Sequence, residues 1–264
     1  MSAVPDKWSD GDIYESYVGR WSRLVAREFI TWLALPPTQR WLDLGCGTGA
    51  LTATILSLAN PGAVKGIDPS AGFLASARKN ITDPRAGFAE GTAQAIPEAD
   101  AAFDAAVSGL SLNFVPEPQD AVNEMARVVR SGGTVAAYVW DYAEKMELMR
   151  YFWDAAVTMD PGISALDESS RFPICHPDAL ATAFASTGLR DTETRAIDVE
   201  TTFRDFDDYW TPFLGGQGSA PSYVATMSDT QRDRLRDHLR TTLPIEADGS
   251  IRLIARAWAA RGTR

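Results

Sequence analysis

Cysteine is scarce in this chain. There are two, Cys46 and Cys175, among 264 residues. Two thiols build neither a disulfide framework nor a four-ligand structural zinc site, so both are expected as free, reduced side chains. No run approaches the roughly 20 apolar residues that a membrane span requires. The first thirty residues carry Asp, Glu, Arg and Trp without an apolar targeting core. The sequence therefore predicts a cytoplasmic protein with no membrane partner. Clusters of Lys and Arg are also missing, and the net charge of -10 repels a phosphate backbone at long range, which argues against nucleic acid. With 45 % hydrophobic and 23 % charged residues, neither a disordered nor a fibrous chain is expected.

What is present reads as alternating strands and helices. From Ile13 to Leu33 apolar residues recur at Val18, Trp21, Val25, Phe29 and Trp32, the spacing of one helical face, and Pro36-Pro37 ends it. Strand-like runs at Trp41 to Leu44, Val64 to Ile67, Gly87 to Ala89, Phe103 to Val107 and Thr134 to Trp140 are interleaved with helical patterns at Thr48 to Ala59, Ser70 to Lys79 and Gln119 to Val129. Such a rhythm implies a mainly parallel sheet with helices on both faces. Beyond Asp141 it changes to helices at Glu144 to Met159 and Pro177 to Thr187. Strands at Arg195 to Phe203 and Ser250 to Ala257 then flank a loop and helix insertion, Arg204 to Gly249.

The run Trp41-Leu-Asp-Leu-Gly-Cys-Gly-Thr-Gly-Ala-Leu-Thr52 places Gly45, Gly47 and Gly49 between a strand and a helix, where the missing Cβ atoms allow a tight turn and close approach to a ligand. By spacing alone it also satisfies the dinucleotide pattern G-x-G-x-x-G/A, so a nicotinamide enzyme stays open at this point. Asp43 favours the other choice. A carboxylate two residues before the glycines repels a pyrophosphate and suits a ligand carrying an ammonium and a sulfonium. Asp68 ends the next strand, 19 residues after Gly49, where a carboxylate accepts both hydroxyls of a ribose.

At these residues the chain resembles the class I S-adenosylmethionine-dependent methyltransferases. Asp43-Leu-Gly-Cys-Gly-Thr-Gly49 is similar to their first signature and Gly66-Ile-Asp-Pro-Ser70 to their second. Phe103-Asp-Ala-Ala-Val-Ser108 resembles the fourth-strand signature, and Arg127-Val-Val-Arg-Ser-Gly-Gly-Thr134 the turn before the fifth strand. The resemblance implies a Rossmann-like, mainly parallel seven-stranded sheet. It further implies one methyltransferase domain: a cofactor-binding core at 41–141, and cap elements on the substrate side at 1–40, 142–187 and 204–249. The implied cofactor is S-adenosyl-L-methionine, with Gly45, Cys46, Gly47 and Gly49 shaping its loop, Asp43 near the methionine amino group and Asp68 on the ribose. Pro69 and Phe73 would line the adenine, and Ser108 belongs to the same set. Many relatives read Gly-Asp-Ala where this chain has Gly91-Thr92-Ala93, so Thr92 and Ala93 take that place without the carboxylate. Relatives also close an amino-terminal helix over the cofactor, which makes Arg20 a candidate for the methionine carboxylate and Tyr14 and Tyr17 candidates for catalysis.

Cys46, inside the loop, is expected beneath the cofactor and not as a nucleophile. His176 is kept as a catalytic candidate beside the two tyrosines, although a loop preceding Pro177 accounts for it equally. Residues 41 to 136 hold five of the 26 aromatic side chains, so the appended parts are aromatic-rich. Core packing is the ordinary fate of such rings, yet some are expected to line an apolar pocket. The substrate-side candidates are Trp140, Asp141, Tyr209, Trp210 and Gln217. After the fourth strand, Ser108-Gly-Leu-Ser-Leu-Asn-Phe114 replaces the Asn/Asp-Pro-Pro-aromatic tetrad of amino-methylating enzymes, and no Pro-Cys nucleophile appears. The expected function is methyl transfer to a small molecule by in-line displacement, the protein supplying orientation and a dry pocket. Two rivals remain, an NAD(P)-dependent oxidoreductase and a non-catalytic S-adenosylmethionine sensor. Whether O, N, C or S receives the methyl group, and the oligomeric state, are not written in these residues.

Overall fold

The computed structural model describes residues 19–216 and 218–264. Among these residues seven strands form one sheet: β1 (Arg40–Leu44), β2 (Ala63–Asp68), β3 (Ala86–Glu90), β4 (Phe103–Gly109), β5 (Val129–Trp140), β6 (Arg190–Phe203) and β7 (Ile251–Thr263), in the order β3-β2-β1-β4-β5-β7-β6. The pairs β1/β2, β2/β3, β1/β4 and β4/β5 are parallel, and β7 runs antiparallel to β5. The order reverses between β1 and β4, so the carboxyl ends of these strands open a crevice of the kind in which α/β sheets bind ligands.

The helices are α1 (Arg20–Leu33), α2 (Ala50–Leu58), α3 (Ala71–Asn80), α4 (Pro118–Val128), α5 (Glu147–Met159), α6 (Glu168–Arg171), α7 (Pro177–Ser186), α8 (Phe206–Trp210), α9 (Ser219–Thr226) and α10 (Asp229–Thr242). Helix α1 buries Trp21, Val25, Phe29 and Leu33 along one stripe, as its spacing predicts. Trp32 sits at the edge of that stripe, within cation-π distance of Arg195 (5.6 Å) and Arg261 (4.6 Å). Among the described residues no helix is long and apolar enough to cross a membrane.

Two strands exceed their expected lengths. β5 begins at Val129 instead of Thr134 because the Gly-Gly turn is absorbed as an irregularity of the β4/β5 register between Phe103 and Ala105. Gly132 takes a φ of 75°, and a Cβ on Gly133 would lie 2.5 Å from the carbonyl oxygen of Asp104. β7 continues past Ala257 to Thr263 and pairs with β5 along its whole second half. That half is Trp258-Ala-Ala-Arg-Gly-Thr263, whose small residues hide a strand from β-propensity but fit between neighbours.

The expected single domain with a cap divides into two compact units. The larger comprises 22–140, 174–197 and 257–264, and the smaller 141–173, 198–256 and, of the described residues, 19–21. Nearly all of α1 and all of α7, expected among the cap elements, therefore belong to the core unit. Phe29 packs on Tyr138 of β5, with ring centroids 4.7 Å apart. Gln119 of α4 donates to the Ala183 carbonyl (3.1 Å) and to the Thr187 hydroxyl (2.9 Å), fastening α7. The smaller unit has its own aromatic core, in which Phe152 stacks on Phe213 at 4.5 Å and Trp21 meets Phe203 edge-on at 5.4 Å.

Candidate cofactor site

β1 is buried from Trp41 to Leu44, and at its end the chain turns through three glycines in the left-handed region: Gly45 (φ 72°), Gly47 (φ 52°) and Gly49 (φ 92°). The amides of Gly45 and Cys46 both donate to the Ile67 carbonyl (2.7 and 3.1 Å), which folds the loop over the end of β2. The glycines differ in what surrounds them. A Cβ on Gly45 would fall on the Ser111 side chain and one on Gly49 on Ile81, whereas among the described residues nothing lies within 4 Å of a Cβ on Gly47. Gly47 thus borders open space at the switch point of the sheet, the cradle a ligand needs.

Asp68 ties this loop to the next one. Its Oδ2 accepts from the Gly47 amide (2.9 Å) and its Oδ1 from the Ser70 amide (2.8 Å). Burial raises its pKa, and the two amide donors oppose that shift. Ser70 caps α3 by accepting from the Phe73 amide at 3.3 Å. Around this cap Pro69 is exposed and Phe73 half-buried. After β3, Thr92 is exposed and Ala93 half-buried.

Asp43 lies under the loop and is 1 % exposed. Its Oδ2 accepts from the Thr52 hydroxyl at 2.6 Å, while its Oδ1 is buried with no hydrogen-bond partner among the described residues. Burial pushes its pKa up to about 7, with the Asp68 charge contributing in the same direction. A buried carboxylate oxygen left unpaired is costly and is a place where a cationic group is stabilised. The Cys46 thiol is buried, and burial, Asp43 and Asp68 all push its pKa upward. It is a protonated packing group and not a nucleophile.

A third loop completes the site. Ser108 at the end of β4 is fully buried and its Oγ is 2.6 Å from Ser111 Oγ, which in turn donates to the Leu44 carbonyl at 3.1 Å. Ser108, expected at the cofactor itself, is thus placed beneath the loop as a support for Ser111. Asn113 follows in the 3-10 turn Leu112–Phe114, 7 % exposed, with a buried Nδ2 that has no hydrogen-bond partner. The ring of Phe114 beside it is 44 % exposed. Sequence reasoning used this stretch only for the tetrad it lacks and missed Ser111 and Asn113. The available signal was a pair of serines three residues apart after a strand end, the spacing that lets two hydroxyls meet across a turn.

The substrate-side expectations fare differently. Tyr209 and Trp210 are core residues of the smaller unit. Tyr209 is fully buried among Phe203, Phe206 and Phe213, its hydroxyl donates to the Leu148 carbonyl at 3.0 Å, and burial raises its pKa well above the phenol range. Trp210 stacks on Phe206 at 6.5 Å and is 5 % exposed. Trp140 is likewise buried, at the end of β5. Asp141 is buried, its Oδ1 accepting from the Glu144 amide at 3.1 Å and its Oδ2 unpartnered. His176 is exposed at the start of α7, with no side-chain capping bond. Tyr14, Tyr17 and Gln217 lie outside the described residues, as does the side chain of Arg20.

Comparison with known proteins follows the same lines. Residues 42–137 match the family model described as a methyltransferase domain. The chain is 38 % identical over 181 residues to a demethylmenaquinone methyltransferase of Roseiflexus sp. (strain RS-1), covering 62 % of this chain and 74 % of the relative. This chain is a class I S-adenosylmethionine-dependent methyltransferase. Solved structures share the fold of this methyltransferase at low identity. The YcgJ protein of Bacillus subtilis superposes with a TM-score of 0.61 at 18 % identity, covering 91 % of this chain and 98 % of that one. A Haemonchus contortus phosphoethanolamine N-methyltransferase in complex with S-adenosyl-L-methionine gives 0.57 at 16 % identity, covering 95 % of this chain and 56 % of that one. The oxidoreductase and sensor readings give way to a methyltransferase whose cofactor is S-adenosylmethionine. The residues present fit that cofactor: an unpaired buried carboxylate oxygen at Asp43, an open glycine at 47 and a second carboxylate at Asp68 suit an ammonium, a close backbone approach and a ribose diol.

Proposed function

We propose that this chain transfers the methyl group of S-adenosylmethionine to a small-molecule acceptor carrying a hydroxylated aromatic ring of the quinol type, in the cytoplasm. The observation that carries the reading is Asp43, whose Oδ1 is buried and unpaired beneath the open Gly47. In this reading Asp43 accepts from the methionine ammonium and the Gly45 to Gly49 backbone floors the cofactor. Asp68 accepts from the ribose hydroxyls through the lone pairs that the Gly47 and Ser70 amides leave unused. Pro69 and Phe73 hold one side of the adenine, and Thr92 with Ala93 its edge. When bound, the cofactor supplies an electrophilic methyl group on a sulfonium, so the chain's task is to orient two ligands and exclude water.

The ring acceptor is supported by the Roseiflexus relative, named for a demethylmenaquinone, and by the exposed Phe114 ring in the turn after β4. A negative protein of net charge -10 favours a neutral or cationic acceptor over a phosphate-bearing polymer. The test is turnover: the purified chain is incubated with S-adenosylmethionine and a set of hydroxylated naphthalenes and benzenes, and S-adenosylhomocysteine and methylated product are measured together. Product that depends on the ring hydroxyl supports the reading. Cofactor binding with turnover only on non-aromatic acceptors replaces the ring class while leaving the methyltransferase intact.

A further inference from the structure

We infer that Asn113 is the positioning residue for the acceptor, its side-chain amide donating a hydrogen bond to an oxygen borne by the acceptor next to the atom that is methylated. This deepens the proposed function and rests on its ring-acceptor reading. Asn113 stands in the turn after β4, two residues beyond Ser111. Ser111 itself touches the glycine loop, since it fills the space a Cβ on Gly45 would take and donates to the Leu44 carbonyl at 3.1 Å. Asn113 thus follows the carboxyl end of β4, on the side of the sheet where the switch-point crevice opens.

Its state is unusual for a buried amide. Asn113 is 7 % exposed, and its Nδ2 makes no hydrogen bond among the described residues although it is shut off from solvent. An amide removed from water without a partner destabilises the fold, so such a group is retained where a ligand completes it. The neighbours allow that. Ser111 is half-buried and Phe114 is 44 % exposed, so the turn that carries the amide reaches the surface and offers an oxygenated ring an apolar side chain to lie against. A neutral amide does not change protonation near pH 7, so its contribution is orientation and selection of the acceptor and not proton transfer.

The test compares the full chain and Asn113→Leu, both loaded with S-adenosylhomocysteine. Each is titrated calorimetrically with 1-naphthol and with 1-methylnaphthalene, which has the same shape and no oxygen. The wild type is expected to prefer 1-naphthol by about tenfold or more, because a site built to hydrogen-bond an oxygen rejects the analogue without it. Asn113→Leu is expected to lose that preference, bind S-adenosylhomocysteine as the wild type does, and melt at the same or a higher temperature, since an unpaired buried amide has been replaced by an apolar group of similar size. A structural role predicts the opposite thermal result, so a clearly lower melting temperature overturns the inference. Retention of the preference for 1-naphthol in the variant overturns it too, and leaves the ring acceptor standing. Wild-type binding of neither compound, with S-adenosylhomocysteine still bound, overturns the ring-acceptor reading and this role together.

Discussion

Gly47 and Asp68 meet across two loops, the amide of the first donating to Oδ2 of the second at 2.9 Å. One carboxylate thus shapes the glycine loop and, in the proposed reading, holds the ribose. Its removal costs twice, through a lost ligand contact and a loosened loop. Asp68→Ala is expected to weaken S-adenosylhomocysteine binding by roughly 2 to 4 kcal/mol, the scale of charge-assisted hydrogen bonds. Isothermal titration gives the number, and an unchanged affinity would remove Asp68 from the site.

Gly45 and Gly47 both have positive φ, yet they face different surroundings and should fail differently. Gly45→Ala drives a Cβ into Ser111. A loss of about 2 to 4 kcal/mol of stability is expected, from steric overlap added to left-handed strain. Replacing Ser111 with Gly in the same chain should recover part of it. Gly47→Ala meets no protein atom within 4 Å, so only the backbone strain of about 1 to 2 kcal/mol is expected while cofactor affinity falls by tenfold or more. Melting curves and titrations of the two variants separate these effects. Equal thermal losses with equal affinities would contradict the assignment of Gly47 to the ligand side.

These contrasts also mark what one-dimensional reading reaches. The glycine turn and the strand-end positions of Asp43 and Asp68 were legible because they follow from short spacing beside a strand end, and the mainly parallel sheet followed from the βαβ rhythm, although its strand order did not. Ser111 was not, because its importance lies in contacts with Leu44 and Gly45, 66 to 67 residues away, which no local pattern encodes. The burial of Tyr209 and Trp210 was illegible for the converse reason. Ring composition identifies an apolar cluster without saying whether protein or ligand fills its other side, and here Phe203, Phe206 and Phe213 do. The late half of β7 escaped because alanine and glycine carry no strand signal of their own.

The core placement of Tyr209 has a measurable consequence. Its hydroxyl donates to the Leu148 carbonyl inside the smaller unit. Tyr209→Phe removes a second hydrogen bond from a carbonyl that also stands in the first turn of α5 and should cost about 1 kcal/mol of stability. The acceptor KM and kcat should stay within about twofold of wild type, because the ring remains and the lost group touches no ligand. Denaturant unfolding alongside steady-state kinetics decides it: a large rise in KM without loss of stability would return Tyr209 to the substrate side.

Asp43 makes cofactor affinity depend on pH, and the sign can be worked out. Burial lifts its pKa from 3.8 to about 7 in the free chain, so at pH 6 most molecules carry a neutral carboxyl there and at pH 8 most carry a carboxylate. The ammonium of the cofactor favours the carboxylate. Affinity for S-adenosylhomocysteine should therefore rise between pH 6 and pH 8 by about tenfold and level off above. Binding near pH 7 should also release a fraction of a proton, seen as a binding enthalpy that changes with the ionisation enthalpy of the buffer. The stability of the free chain should move the other way. A carboxyl with a raised folded pKa binds its proton more tightly when folded, so its stabilising share is complete below about pH 4 and is lost as pH rises through about 7. Asp43→Asn removes the titrating group: its melting temperature should lose this pH dependence, and its weakened cofactor affinity should be flat between pH 6 and pH 8. A variant that keeps the wild-type slope would assign the titration to another group.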